Sequence, residues 1–257
     1  MRWTLPESNE AEAARLAARC GLQMPAARVL WNRGIHDPSE VERFLHPKFS
    51  DLSDPFLLKD MERAVERVRQ AIRSGEKVLV YGDYDVDGTT SLVILGKMLE
   101  LAGLKAQLHV PDRLKDGYGI QGWVLEKAKA DGVTLLISVD TGIRANTAVE
   151  HARALGIDVI ITDHHLPDTE LPPANAILNP NQPDCGYPNK NLCGAGVTFK
   201  LIQALMEREG WAPDRIVRYC ESFLMLVAIA TVADVVPLTG ENRIIVQRGL
   251  AGLSRTK

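Results

Sequence analysis

KVLVYGDYDVDG, spanning Lys77–Gly88, begins as an apolar β-branched run and ends in three aspartates and a glycine. A run of this length bounded by turn residues reads as a buried strand, predicted over Lys77–Tyr81. The same pattern returns in TLLISVD (Thr134–Asp140) and DVIITD (Asp158–Asp163), with LKAQLHV (Leu104–Val110) and AIL (Ala176–Leu178) as further strands. Between them the 3.6-residue period predicts helices over Met61–Arg73, Thr89–Leu101, Gln121–Ala130 and Arg144–Leu155. Strands alternating with helices at this spacing require right-handed crossovers. The expected fold is therefore α/β, a parallel sheet with helices on both faces.

Outward from this core the pattern changes. Toward the N-terminus, short helices are predicted over Asn9–Cys20, over Pro25–Asn32, and after the Asp37-Pro38 cap signal. The proline-broken HPKFSDLSDPF then reads as a linker. Residues 1–50 are thus expected to form a small helical segment and 51–240 the main domain. Beyond Asp163 comes a loop rich in Pro, Asn and Asp, with helices near Val197–Glu209, Asp214–Ala230 and from Glu241 onward.

Composition excludes several classes. Of 257 residues, 46% are hydrophobic and 25% charged, which is ordinary for a globular protein and excludes wholesale disorder. No run approaches the roughly 20 consecutive apolar residues of a membrane span, and the acidic N-terminus does not resemble a signal peptide. A cytoplasmic location is expected. Cys20, Cys185, Cys193 and Cys220 form no C-x-x-C pair, so they read as reduced thiols and not as a zinc site. A net charge of −3 disfavours a passive nucleic-acid binder. It disfavours less an enzyme whose carboxylates are neutralised by metal ions.

The strand ends carry the chemistry. Asp83, Asp85 and Asp87 follow the first strand, Asp140 ends the third, and Asp163, His164 and His165 end the fourth. In a parallel α/β sheet, ligand sites form beyond the carboxyl ends of the strands. Carboxylates gathered there repel one another unless cations balance them. Carboxylates mixed with imidazole suit Mn²⁺, or Mg²⁺ as substitute. Two such ions about 3.5–4 Å apart would serve phosphoester cleavage. Taken singly, the Asp-rich turns are also ordinary loop sequences. His36, His46, His109 and His151 lie outside the clusters and read as structural or solvated. Arg113 is a candidate phosphate partner, Tyr118 a ring for base stacking or for core packing. Gly194 and Gly196 offer backbone N–H groups to a phosphate, or simply a tight turn.

YGDYDVDG, SVDTG, TDHH and TVADVVPL, in this order, resemble the four motifs of the DHH phosphoesterase superfamily. DGYG and LCGAGVTFKL are similar to its RecJ-like branch, exonucleases specific for single-stranded DNA. The resemblance covers nearly all of the chain from about Trp31. It implies that Asp85, Asp87, Asp140, His164 and Asp234 bind metal, with Asp140 shared by two ions. His165 and Asp83 would act beside them in catalysis, and Asp163 would orient its neighbours. Other members have a histidine where Tyr81 stands, as expected for RecJ-like sequences.

RecJ-like enzymes are longer, so the resemblance makes 241–257 the start of a helix leading to a further domain. It implies a 5′→3′ exonuclease of repair and recombination, with single-stranded DNA as partner. A single-stranded-DNA-binding protein and a helicase are implied as further partners. Two alternatives stay open: a phosphodiesterase or pyrophosphatase for small substrates, and an inactive metal-binding assembly module.

Overall fold

The computed structural model describes residues 9–115, 117 and 119–255. Two compact units divide it, 1–51 and 52–257. The first contains α1 (Glu10–Cys20), α2 (Met24–Asn32) and α3 (Pro38–Leu45) around a small core of Leu16, Leu30 and Val41. Side chains start two of these helices. The Asn9 carboxamide oxygen accepts the Glu12 N–H, and Asp37 accepts the Ser39 N–H with Pro38 in the first turn.

The second unit is the expected α/β domain. Its strands are β1 (Lys77–Gly82), β2 (Gln107–His109), β3 (Val133–Val139), β4 (Asp158–Thr162) and β5 (Ala176–Leu178). They form one wholly parallel sheet in the order β2-β1-β3-β4-β5. The helices are α4 (Met61–Ser74), α5 (Val86–Leu101), α6 (Gly122–Ala130), α7 (Asn146–Ala154), α8 (Gly194–Arg208), α9 (Pro213–Ala233) and α10 (Gly240–Leu253). Helices α6 and α7 cover one face of the sheet, burying Leu79, Leu136, Val159 and Ile161. Helices α4, α5 and α8 cover the other. Burial on both faces explains why the strands read as continuous apolar runs and not as alternating ones.

From β1 the chain crosses to β2 on one side, then returns to β3 on the other. This reversal opens a crevice at the carboxyl ends of β1 and β3, the position where α/β sheets bind ligands.

Among the boundaries that differ from expectation, three have a clear local reason. Helix α5 starts at Val86 and not Thr89, because Asp85 caps it by accepting the Gly88 N–H at 2.9 Å. Asp87 therefore lies in the first helical turn, not in a free loop. Strand β2 is shorter than Leu104–Val110, because the Leu104 N–H closes α5 onto the Leu99 carbonyl. Helix α8 begins at Gly194, three residues early, since its first N–H groups find a carboxylate. Helix α9 is long and apolar enough, by length and composition, to cross a membrane. In this structure it packs among α5, α8 and α10.

Candidate metal centre

The loop after β1 is folded tightly. A Cβ at Gly88 would lie 2.5 Å from the Asp83 carbonyl oxygen, so only glycine fits this close backbone approach. The close turn places Asp83, Asp85 and Asp87 within a few residues of one crevice. Asp140 follows β3 with φ of 58°, a left-handed conformation that aspartate tolerates better than bulkier residues. Its N–H donates to the Thr162 carbonyl at 2.8 Å, tying the ends of β3 and β4 together. Asp234 is the C-cap of α9.

These elements converge. His164 Nε2 lies 3.2 Å from Asp140 Oδ1 and 3.8 Å from Asp87 Oδ2, and its Nδ1 lies 3.8 Å from Asp234 Oδ2. Three overlapping donor groups result: Asp140–His164–His165, Asp87–His164–Asp234 and Asp83–Asp85–Asp140. In each group the candidate ligand atoms lie within 4.8 Å of one another. Asp140 joins two groups and His164 joins two.

The supporting contacts fix the two histidines. Asp163 is buried, and its Oδ1 accepts the backbone N–H groups of His164 and His165 at 2.7 and 3.1 Å. The same oxygen lies 2.7 Å from His165 Nδ1, and Oδ2 accepts the Ile143 N–H at 2.9 Å. Burial would raise the Asp163 carboxyl, but the His165 hydrogen bond and the N–H donors hold it below the ordinary range. The same bond raises the His165 imidazole. Asn179 and Asn181 donate to the carbonyls of His165 and His164 at 2.9 and 2.8 Å. Neither asparagine was singled out from sequence. The available signal was the Asn-Pro-Asn spacing directly after β5.

Asp87 has partners no local pattern could reveal. It accepts the Gly194 and Ala195 N–H groups at 2.6 and 2.7 Å, across more than a hundred residues. The N-terminus of α8 thus holds a carboxylate, as its dipole favours. For Gly194, whose N–H was expected to face a phosphate or to sit in a tight turn, the N–H meets Asp87 in this structure. The Gly194 N–H is already used, and a Cβ there would lie 2.4 Å from Asp140 Oδ1. Gly196 is buried against Leu192. Tyr81 is likewise buried, donating its hydroxyl to the Gly119 carbonyl at 2.8 Å. Arg113 lies over the Tyr84 ring at 5.1 Å, beside the aspartate loop. Tyr118 lies outside the described residues.

Charge in the crevice is unbalanced. Burial raises the carboxyls of Asp83, Asp87 and Asp234. Asp140 is pushed up to about 10, by burial first and then by Asp87 and Asp85. Asp140 Oδ1 is buried with no hydrogen-bond partner among the described residues. Hard oxygen donors, imidazole and a buried carboxylate oxygen that accepts no hydrogen bond together fit divalent cations.

The sequence model of the DHH family, N-terminal domain, matches residues 77–231. The chain belongs to the DHH family. Among DHH relatives, the chain is 42% identical over 256 residues to the single-stranded-DNA-specific exonuclease RecJ of Bacillus subtilis (strain 168). That alignment covers 100% of this chain and 31% of the relative. The Escherichia coli (strain K12) RecJ is 41% identical over 236 residues, covering 90% of this chain and 40% of that protein. A crystal structure of RecJ in complex with Mn²⁺ from Thermus thermophilus superposes with a TM-score of 0.77 at 30% identity. It covers 97% of this chain and 34% of that one. The chain spans about a third of the length of the curated relatives it matches.

Proposed function

We propose that this chain is the catalytic part of a metal-dependent phosphodiesterase acting on single-stranded DNA, releasing nucleotides from the 5′ end. The observation that carries the chemistry is Asp140: buried, accepting no hydrogen bond at Oδ1 from the described residues, 3.2 Å from the His164 imidazole, and a member of two donor groups. A buried carboxylate that accepts no hydrogen bond is costly unless a cation meets it. Similarity to exonucleases named for single-stranded DNA supports the substrate. The direction of cleavage follows from the resemblance.

In this reading Asp85, Asp87, Asp140, His164 and Asp234 hold two cations, Mn²⁺ or Mg²⁺, with Asp140 shared between them. Bound there, the cations would neutralise phosphate charge and supply Lewis acidity. The chain's own residues prepare the rest. The α8 N-terminus fixes Asp87, and Asn179 and Asn181 fix the backbone of the histidine pair. His165, anchored on Asp163 and partly exposed, presents an imidazole able to donate a proton to a phosphate or leaving oxygen. Asp83 and Asp163 hold the loops that carry these ligands. Arg113 binds a backbone phosphate beside the Tyr84 ring. Residues 51–240 form the catalytic domain, 241–257 begin the link to a further domain, and the chain acts in the cytoplasm. A single-stranded-DNA-binding protein and a helicase are its proposed partners.

The test is a nuclease assay on end-labelled single- and double-stranded DNA with Mn²⁺, Mg²⁺ or chelator. Cation-dependent loss of mononucleotides from single strands is expected. Equal cleavage in chelator would defeat the metal assignment, and turnover of dinucleotides but not long strands would favour a small-substrate enzyme. A Mn²⁺-induced rise in melting temperature without hydrolysis of either would favour an assembly module.

A further inference from the structure

Helix α10 contributes nothing to the three donor groups, yet its first turn is buried and densely hydrogen-bonded. Glu241 is 5% exposed and Asn242 1%. The Glu241 carboxylate accepts the Ser53 N–H at 3.1 Å and the Tyr187 hydroxyl at 2.6 Å. It also meets the Lys200 ammonium at 2.6 Å, on a side chain closed to solvent. Lys200 projects from α8, whose N-terminus holds Asp87. The ion pair therefore seats α10 on the helix that cradles a candidate ligand. Breaking either partner away would strand a buried charge, so the seat is firm.

Asn242 uses that seat to hold two backbone segments. Its Nδ2 donates to the Asn191 carbonyl at 2.6 Å and to the Pro237 carbonyl at 3.0 Å. Its Oδ1 accepts the Asn189 amide at 2.9 Å, and Asn189 Oδ1 in turn accepts the Asn191 N–H at 3.0 Å. Two carbonyls face the Asn242 nitrogen and a donor faces its oxygen, so only one orientation of the amide fits.

Both segments run into the metal centre. Asn191 lies three residues before Gly194, whose N–H meets Asp87 Oδ2 at 2.6 Å. Pro237 lies three residues after Asp234. Asp87 and Asp234 belong to one donor group, facing opposite nitrogens of His164. The link from Asp234 to Pro237 is strained: Val235 has φ of 57°, a left-handed conformation unfavourable for a β-branched residue. Val235 is 84% exposed, so packing of its side chain does not impose that conformation. Such backbone persists where its surroundings hold it, and the Asn242 amide grips its far end.

We infer that Asn242 is a positioning residue of the metal centre. One amide sets the spacing between the α8 N-terminus that orients Asp87 and the turn that presents Asp234. It acts through the Asn191 and Pro237 carbonyls, not on a ligand atom. The inference rests on the metal reading of the Asp87–His164–Asp234 group.

The test compares Asn242→Leu, a near-isostere without donors, with Tyr187→Phe, which loosens the same helical turn but leaves the amide untouched. Calorimetric titration with Mn²⁺ should show at least about tenfold weaker binding for Asn242→Leu, the lower end of what supporting contacts contribute to metal affinity. Tyr187→Phe should bind Mn²⁺ as the wild type does, although both variants melt lower. In chelator, amide hydrogen exchange at Gly194 and Ala195 should quicken at least about tenfold in Asn242→Leu and not in Tyr187→Phe. Asn242→Ala replaces Asn242→Leu should the latter not fold. Unchanged Mn²⁺ affinity or unchanged exchange in the Asn242 variant, or an equal loss in both variants, would overturn the inference. A wild type that binds no Mn²⁺ would defeat the metal reading itself, and the inference with it. A wild type that binds, with an Asn242 variant equally tight, defeats the inference alone.

Discussion

The two edges of the sheet use the same residue types to opposite ends. At the amino edge, Glu76 precedes β1 and Asp158 opens β4, and Arg67 lies between them. Arg67 Nη2 is 2.7 Å from Glu76, and its Nε is 2.6 Å from Asp158. Thr134 donates to the same Glu76 carboxylate at 2.5 Å, and Asn175 donates to Asp158 at 3.0 Å. Every carboxylate there has a cation and a neutral donor. At the carboxyl edge at least five carboxylates meet two imidazoles, no Lys or Arg pairs with them among the described residues, and one buried carboxylate oxygen accepts no hydrogen bond there. One edge is arranged for stability and the other is incomplete until something cationic arrives.

The largest consequence concerns activity. Asp140→Ala removes the ligand common to two donor groups. Mn²⁺-dependent cleavage of single-stranded DNA should fall by about 10⁴-fold or more, with far-UV circular dichroism unchanged. Wild-type turnover by this variant would dissolve the contrast between the edges. Next comes the amino edge. Arg67→Met leaves Glu76 and Asp158 facing each other without their cation, and should destabilise the fold by about 2–3 kcal/mol in urea titration. A cost near zero would mean that this network is no more structural than its counterpart.

Much of this contrast was legible in the sequence, and the limits were physical. Strand ends announce themselves, because an apolar run stops where solvent or a ligand begins; Asp83, Asp140 and Asp163 were visible for that reason. The helix start at Val86 was missed because Thr89 looked like the first ordinary helical residue, while the cap lay in the Asp85 carboxylate. The role of Gly194 was invisible because it depends on Asp87 and Asp140, both distant in sequence. Local pattern reports propensity and period. It does not report which long-range partner takes up an N–H group. The Asn179 and Asn181 clamps on the histidine backbone belong to the same class.

A smaller effect is the cost that the carboxyl edge carries when no metal is present. Without metal at neutral pH the folded protein must protonate the Asp140 carboxyl that the unfolded chain leaves ionised, and Asp140→Asn removes that cost while nearly keeping its shape. In chelator the variant should melt higher than the wild type, by the equivalent of about 1–2 kcal/mol. With Mn²⁺ the order should reverse, because only the wild type gains binding free energy at this position. Equal melting under both conditions would show that Asp140 neither strains the free fold nor holds a cation.

The smallest effect is the pH response of the amino edge, and its sign follows from linkage. The Arg67 hydrogen bond, aided by Thr134 and opposed by burial, holds the Glu76 carboxyl below its ordinary value. A depressed folded-state value means that the folded protein binds this proton less readily than the unfolded chain. The stabilisation is therefore complete above the unfolded value, near pH 4.5. It is lost as pH falls through the lower, folded value. Glu76→Gln should cost about 1 kcal/mol at pH 7 by urea titration, and the gap should close progressively below about pH 4. A gap that persists unchanged into acid would mean that Glu76 acts through packing and its Thr134 contact, not through charge. The amino edge would then owe its stability to shape, and the charge contrast would belong to the carboxyl edge alone.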